Sequence, residues 1–177
     1  MILYEFLILN MKNIILCLAV MVMALEAYGQ KAKVYDESID PDVQIVEAVS
    51  KAKKDGKFVV AQLGGNWCKW CIRFARFVEG DPELRKYVDD NFEFIHVNYN
   101  PRGEEGNADK SATEKALRRL GNPVRFGYPV LVVLDSEGNV VHTQDSGLLE
   151  SGEGYDREKV MRFFELWSPA AVEGAKK

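Results

Sequence analysis

Cysteine is scarce in this chain, with three among 177 residues, and one of them, Cys17, lies inside an N-terminal apolar run. So few exclude a disulfide-dense scaffold. Histidine is scarcer still. A zinc site needs about four ligands, and His96 and His142, the two histidines, both fall in the middle of strand-like runs rather than in a ligand-bearing knuckle. Ile72 follows Cys71 where a covalently attached haem would require histidine. There is no basic cluster, and the formal net charge is −4, which argues against nucleic acid as a partner. The longest apolar run, Ile14 to Leu25, is too short for a comfortable membrane span. No internal repeat and no second domain are visible.

That apolar run follows Lys12 and Asn13 and ends at Ala27-Tyr28-Gly29, a small-x-small site of the kind a signal peptidase cuts. Residues 1–29 are therefore expected to be a signal peptide, with Met11 as the true start. Residues 30–39 then form a linker, and the mature chain is periplasmic or secreted. The competing reading is a retained N-terminal anchor. Cys17 lacks the small residues expected before a lipid-modified cysteine and is lost on cleavage. The mature chain then keeps Cys68 and Cys71, in a compartment that permits disulfides.

These two stand in Trp67-Cys68-Lys69-Trp70-Cys71. The apolar run Phe58 to Leu63 before them reads as a buried strand. After them Trp70, Phe74 and Phe77 share one helical face, with Cys71 and Val78 beside it. Cys68 thus sits at a strand-to-helix turn, where free amide N–H groups and the positive end of the helix dipole favour a thiolate. A disulfide closing so short a loop staples almost nothing, so chemistry is expected of it. An inert bridge or two buried thiols is the plainer alternative.

Around this motif Asp40-Pro41 starts a helix with an apolar stripe of Ile45, Val46, Val49 and Ala52. Gly80 ends the motif helix and Asp81-Pro82 starts the next, with Leu84, Tyr87 and Val88 on one face. Phe92 to Tyr99 is a second strand. A loop over Asn100–Asp109 leads to Ser111-Ala112-Thr113-Glu114, which matches a capping box. Pro129 to Leu134 and Val140 to Thr143 form an antiparallel hairpin, and Ser146 to Tyr155 is a Gly-rich loop. Val160, Phe163, Phe164 and Trp167 give a last helix its buried face. The tail from 168 to 177 is expected to be loose.

The Trp-Cys-x-x-Cys turn after an apolar strand, with Tyr128-Pro129 before a later one, resembles the thioredoxin superfamily. The run Asn66 to Tyr99 is similar to its secreted bacterial thioredoxin-like domains. The resemblance covers roughly Asp40 to Trp167. It implies an α/β thioredoxin fold: a central mixed sheet of about four strands with helices on both faces, over residues 40–167. It also implies that Pro129 is cis and faces the disulfide, while Tyr128 presents its backbone to an extended substrate segment. One departure stands out. Thioredoxin has a buried Asp six positions before the first cysteine, which helps move the second cysteine's proton, and here that position is Gln62, which cannot act as a base near neutral pH.

The functional expectation is an exported thiol–disulfide oxidoreductase acting on protein disulfides, with Cys68 as nucleophile and Cys71 as resolving thiol. Lys69 beside the thiolate is a candidate for lowering its pKa, or simply a solvated charge. Trp70 restricts approach, and Trp67 shields the disulfide and offers an apolar contact surface. No metal and no cofactor beyond the redox-active disulfide is expected. A reducing or intermediate potential implies a membrane thiol relay as electron donor, and the chain is expected to be a monomer. The alternative is a binding or chaperone-like module that keeps the fold and uses the groove beside Tyr128 without redox turnover.

Overall fold

The computed structural model describes residues 33–101 and 109–175. The signal-peptide reading of residues 1–29 and most of the loop at 100–109 fall outside them. Four strands form one mixed sheet in the order β2-β1-β3-β4: β1 (Phe58–Gly64), β2 (Phe92–Asn98), β3 (Val130–Leu134) and β4 (Val140–Asp145). β1 runs parallel to β2 and antiparallel to β3, which pairs antiparallel with β4.

The helices start where side-chain oxygens can satisfy free amides. Asp40 caps α1 (Pro41–Asp55), accepting from Asp42 N at 2.8 Å and Val43 N at 3.1 Å. Gly56 ends α1 in the left-handed region at φ 66°, where glycine carries no Cβ penalty. Cys68 itself is the N-cap of α2 (Lys69–Gly80), and Asp81 caps α3 (Pro82–Asn91). α4 (Lys110–Arg119) is capped by Asp109, whose Oδ2 accepts from Ala112 N at 3.0 Å. The helix thus begins before Ser111, and the expected capping box gives way to the carboxylate two residues upstream. α5 (Arg157–Leu166) starts on Asp156.

β1 is buried along its whole length because the sheet is covered on both faces. Phe58 and Val60 pack with Phe74, Val78, Leu84, Val88, Phe163 and Phe164 from α2, α3 and α5. Val59, Ala61 and Leu63 point the other way, onto Ile45, Ala48 and Ala52 of α1 and Ala116 of α4. Burying a side chain the size of Phe74 stabilises by roughly 1.5–3 kcal/mol. In α1 the buried stripe is Ile45, Ala48 and Ala52, while Val46, expected inside, is exposed. The sheet lies on the Ala48 side, and Val46, two residues away on a helix of about 3.6 residues per turn, falls on nearly the opposite face.

Three segments expected to be irregular are ordered. Residues 34–37, expected as linker, are held against the domain, and Tyr35 is fully buried. The Gly-rich loop after β4 contains a 3-10 turn (Ser146–Leu149) and a small hairpin, β5 (Glu150–Ser151) and β6 (Gly154–Tyr155), whose Tyr155 enters the core. The tail forms α6 (Pro169–Gly174). Buried Ser168 nucleates it: its Oγ accepts from Ala171 N at 3.3 Å and donates to Glu165 O at 3.0 Å, and Val172 packs on the core.

Candidate active site

β1 delivers the chain to a tight turn, Gly65 to Cys68, closed by Cys68 N–H donating to Gly65 O at 3.0 Å. Cys68 and Cys71 are joined by a disulfide across the first turn of α2. Cys68 is 7% exposed and Cys71 0%, so the first cysteine is the more accessible of the two. The Cys71 backbone N–H donates to Cys68 Sγ at 3.1 Å. This amide is one of the four that a helix start leaves free, and here it points at sulfur.

Tyr128 and Pro129 are joined by a cis peptide bond, as the family resemblance implied. The bond brings Tyr128 O to 3.6 Å from Cys68 Sγ. The Trp67 ring meets the Tyr128 ring edge-on, centroids 5.2 Å apart, and its Nε1 donates to Tyr99 O at 3.0 Å. Trp67 stays 39% exposed, so an aromatic shelf formed by Trp67, Tyr128 and Tyr99 borders the accessible sulfur. Trp70 packs sideways: its ring lies edge-on to Tyr155 at 5.6 Å, with the Arg73 guanidinium 4.6 Å over its face. Lys69 is solvent-exposed at the first position of α2.

Beneath the disulfide lies Tyr35, which the sequence pattern did not single out, beside Gln62, which it did. Tyr35 packs with Cys68 and Cys71 in one buried cluster. Its backbone is gripped by Asn66, whose Oδ1 accepts from Val34 N and Tyr35 N at 3.1 Å each and whose Nδ2 donates to Tyr35 O at 2.8 Å. Gln62 is fully buried, and its Nε2 donates to Tyr35 Oη at 2.6 Å and to Cys71 O at 2.8 Å. Burial holds the Tyr35 phenol far above its ordinary value and pushes His96, whose ring lies 5.4 Å from that of Tyr35, down to about 4. His96 is on β2 and His142 on β4, the two outer strands of the sheet. His142 stacks on Trp167 at 3.9 Å.

The thioredoxin-like family model Thioredoxin_7 matches residues 41–136, more than half of the chain, and the chain belongs to that family. Its fold is similar to that of a disulphide isomerase from Xylella fastidiosa, with a TM-score of 0.64 at 21% identity, over 77% of this chain and 97% of that one. A DsbH oxidoreductase is 19% identical over 68% of this chain and 81% of that one, with a TM-score of 0.44. A thioredoxin-fold protein from Helicobacter pylori is 19% identical over 75% and 97%, with a TM-score of 0.37. No curated protein matches the chain.

Proposed function

We propose that the chain is an exported thiol–disulfide oxidoreductase that reduces or exchanges disulfides of other proteins through Cys68 and Cys71. The observation that carries this reading is the amide of Cys71 on Cys68 Sγ, at a helix start, with Cys68 the more accessible sulfur of the pair. In the reduced protein that N–H and the helix dipole stabilise a thiolate on Cys68. The thiolate attacks one sulfur of a substrate disulfide, and the other leaves as a thiolate that takes up a proton. Cys71 then attacks Cys68 Sγ, the mixed disulfide breaks, and the second substrate sulfur leaves with the electron pair. The protein ends oxidised at Cys68–Cys71 and the substrate disulfide ends reduced.

Tyr128 O beside Cys68 supports a role for that backbone in pairing with an extended substrate segment, and Trp67 offers that segment an apolar wall. Lys69 adds a positive charge one residue from the nucleophile, whereas burial of the sulfurs disfavours the charged form. The balance favours a reducing or intermediate potential. A monomer working in an oxidising compartment then needs re-reduction, and a membrane thiol relay is the donor class that fits. The apolar run Ile14 to Leu25 and the small-x-small site at Ala27–Gly29 support export to the periplasm or beyond.

Reduction of insulin disulfides by the mature chain with dithiothreitol as electron source tests the activity. Cys68→Ser is expected to abolish it, and a fully active Cys68→Ser overturns the proposal. Cys71→Ser is expected to accumulate mixed disulfides; their absence reverses the two roles. Equilibration with glutathione buffers reads the direction of electron flow, and a potential near ~−120 mV, that of a strong oxidant, would replace reduction with disulfide donation.

A further inference from the structure

Resolution requires a thiolate on Cys71, which is fully buried, and an apolar setting raises a thiol's pKa. Gln62 occupies the nearest polar position on β1 and has no proton-accepting capacity near neutral pH. Its hydrogen bonds nevertheless reveal another group. Cys71 O can only accept, so the Gln62 atom 2.8 Å from it must be the amide nitrogen. The same nitrogen lies 2.6 Å from Tyr35 Oη, so the phenol oxygen accepts from it. The phenol's own proton is therefore left for another acceptor.

Cys71 Sγ, in the same buried cluster as the Tyr35 ring, is the candidate acceptor. A methyl group built on Gly64 would overlap Cys71 Sγ and stand 3.0 Å from Tyr35 Oη, so the sulfur and the hydroxyl converge on the same small space. Gln62 Oε1, in the same buried cluster, has no partner among the described residues. The polar capacity beneath the disulfide is thus incompletely used in the oxidised protein. Reduction changes this, because a Cys71 freed from Cys68 becomes a thiol or thiolate with its own hydrogen-bonding needs.

We propose that, in the reduced protein, the Tyr35 hydroxyl donates a hydrogen bond to Cys71 sulfur and stabilises the thiolate that resolves the mixed disulfide, with Gln62 clamping the phenol in place; this rests on the thiol–disulfide exchange reading above. Cys71 S–H loses its proton to solvent, its sulfur bonds to Cys68 Sγ, the Cys68–substrate bond breaks with its electron pair passing to the substrate sulfur, and that thiolate takes up a proton from solvent or, when it is a weak base such as nitrothiobenzoate, stays ionised. Tyr35 supplies no proton and stays neutral, held so by burial. The same hydrogen bond acts in either direction of electron flow.

The test is a two-step reaction of the reduced mature chain with one equivalent of dithionitrobenzoate, a disulfide that releases one coloured thiolate when Cys68 attacks and a second when Cys71 resolves. In Tyr35→Phe, which keeps the ring, the first release is expected to be unchanged and the second to slow by about tenfold, the loss of one hydrogen bond to a charged group. The pH midpoint of the second release is expected to rise by about one unit, the same factor of ten. The other titratable groups around this pocket do not blur that midpoint. His96 is pushed down to about 4, and Tyr155 and Tyr128 up to about 12, all by burial. Cys68 is itself the site of the mixed disulfide. Equal slowing of both releases, or an unchanged second release, overturns the proposal. If wild type itself releases no second thiolate, the exchange reading fails instead. Should Tyr35→Phe not fold, Gln62→Met, which removes the donor to the phenol, is expected to slow the second release alone. An unchanged rate there overturns the proposal equally.

Discussion

Asn66 binds the backbone of Tyr35 on both sides, accepting its N–H at 3.1 Å and donating to its carbonyl at 2.8 Å. One side chain in the turn that carries Cys68 thereby fixes a residue that lies 31 positions earlier in the chain. The same amide also accepts from Val34 N at 3.1 Å and donates to Glu37 Oε1 at 3.0 Å.

Removing that amide should release the N-terminal segment. Asn66→Ala is expected to destabilise the protein by about 2–4 kcal/mol, since several partly buried bonds are lost together. Urea denaturation measures the loss, and limited proteolysis should cut first between residues 34 and 38. Asn66→Asp keeps the acceptor for both N–H groups but cannot donate to Tyr35 O and faces Glu37, so an intermediate loss is expected. A variant as stable as wild type would mean that the segment is held by the Tyr35 ring alone.

Much of this architecture was legible because it follows from local pattern. Phe58 to Leu63 reads as a buried strand, Asp40-Pro41 and Asp81-Pro82 read as helix starts, and Cys68 falls on the strand-to-helix turn; each signal lies within a few residues of its consequence. Pro129 was legible only through the family resemblance. Tyr35 was not legible, because it stands in a short polar stretch without periodicity and its burial depends on Asn66 and Gln62, both distant in sequence. The capping box at Ser111 failed for a local reason: Asp109 caps two residues earlier, through Ala112 N, and Thr113 N–H is then already taken by Asp109 O. The tail, expected to be loose, is helical because the stop signal after Trp167, Ser168-Pro169, is also a start signal for the next helix.

Gly64 is required for space rather than for an unusual backbone angle. Its missing Cβ leaves room for Cys71 Sγ and Tyr35 Oη, and neither can retreat, one being tethered to α2 and the other clamped by Gln62. Gly64→Ala is expected to cost about 1–3 kcal/mol, the range for an extra methyl in a packed interior. It should also slow closure of Cys68–Cys71 after reduction, followed by alkylation of the free thiols. Unchanged stability and closure would show that the pocket has slack.

Trp67 tests whether the aromatic shelf binds substrate. It is part-exposed and held by an edge-on contact with Tyr128 and a bond to Tyr99 O. Trp67→Ala is expected to raise KM for a protein disulfide severalfold, as loss of an aromatic contact worth about 0.5–1.5 kcal/mol implies. The rate with dithionitrobenzoate, which needs no shelf, should hardly change. Equal effects on both substrates would place Trp67 in the chemistry of Cys68 rather than in recognition.

His96 sets an acid limit on stability. Its ring packs against Tyr35 at 5.4 Å and Phe94 at 5.1 Å, and burial lowers its pKa from the ordinary 6.5 to about 4. The unfolded chain therefore binds a proton here that the folded chain refuses, at any pH between those two values. The stabilisation is complete above ~6.5 and is lost as pH falls toward ~4, below which this residue adds no further slope. The whole step is on the order of 2–3 kcal/mol, with the lower end favoured because part of the ring reaches solvent. His96→Phe keeps an aromatic ring in the same place and removes the titration. Urea denaturation of both proteins at pH 7, 5 and 4 should show wild type losing more stability than the variant across the window, by that amount. Parallel losses would mean that His96 is protonated in the folded protein without penalty and that carboxylates alone set the acid limit.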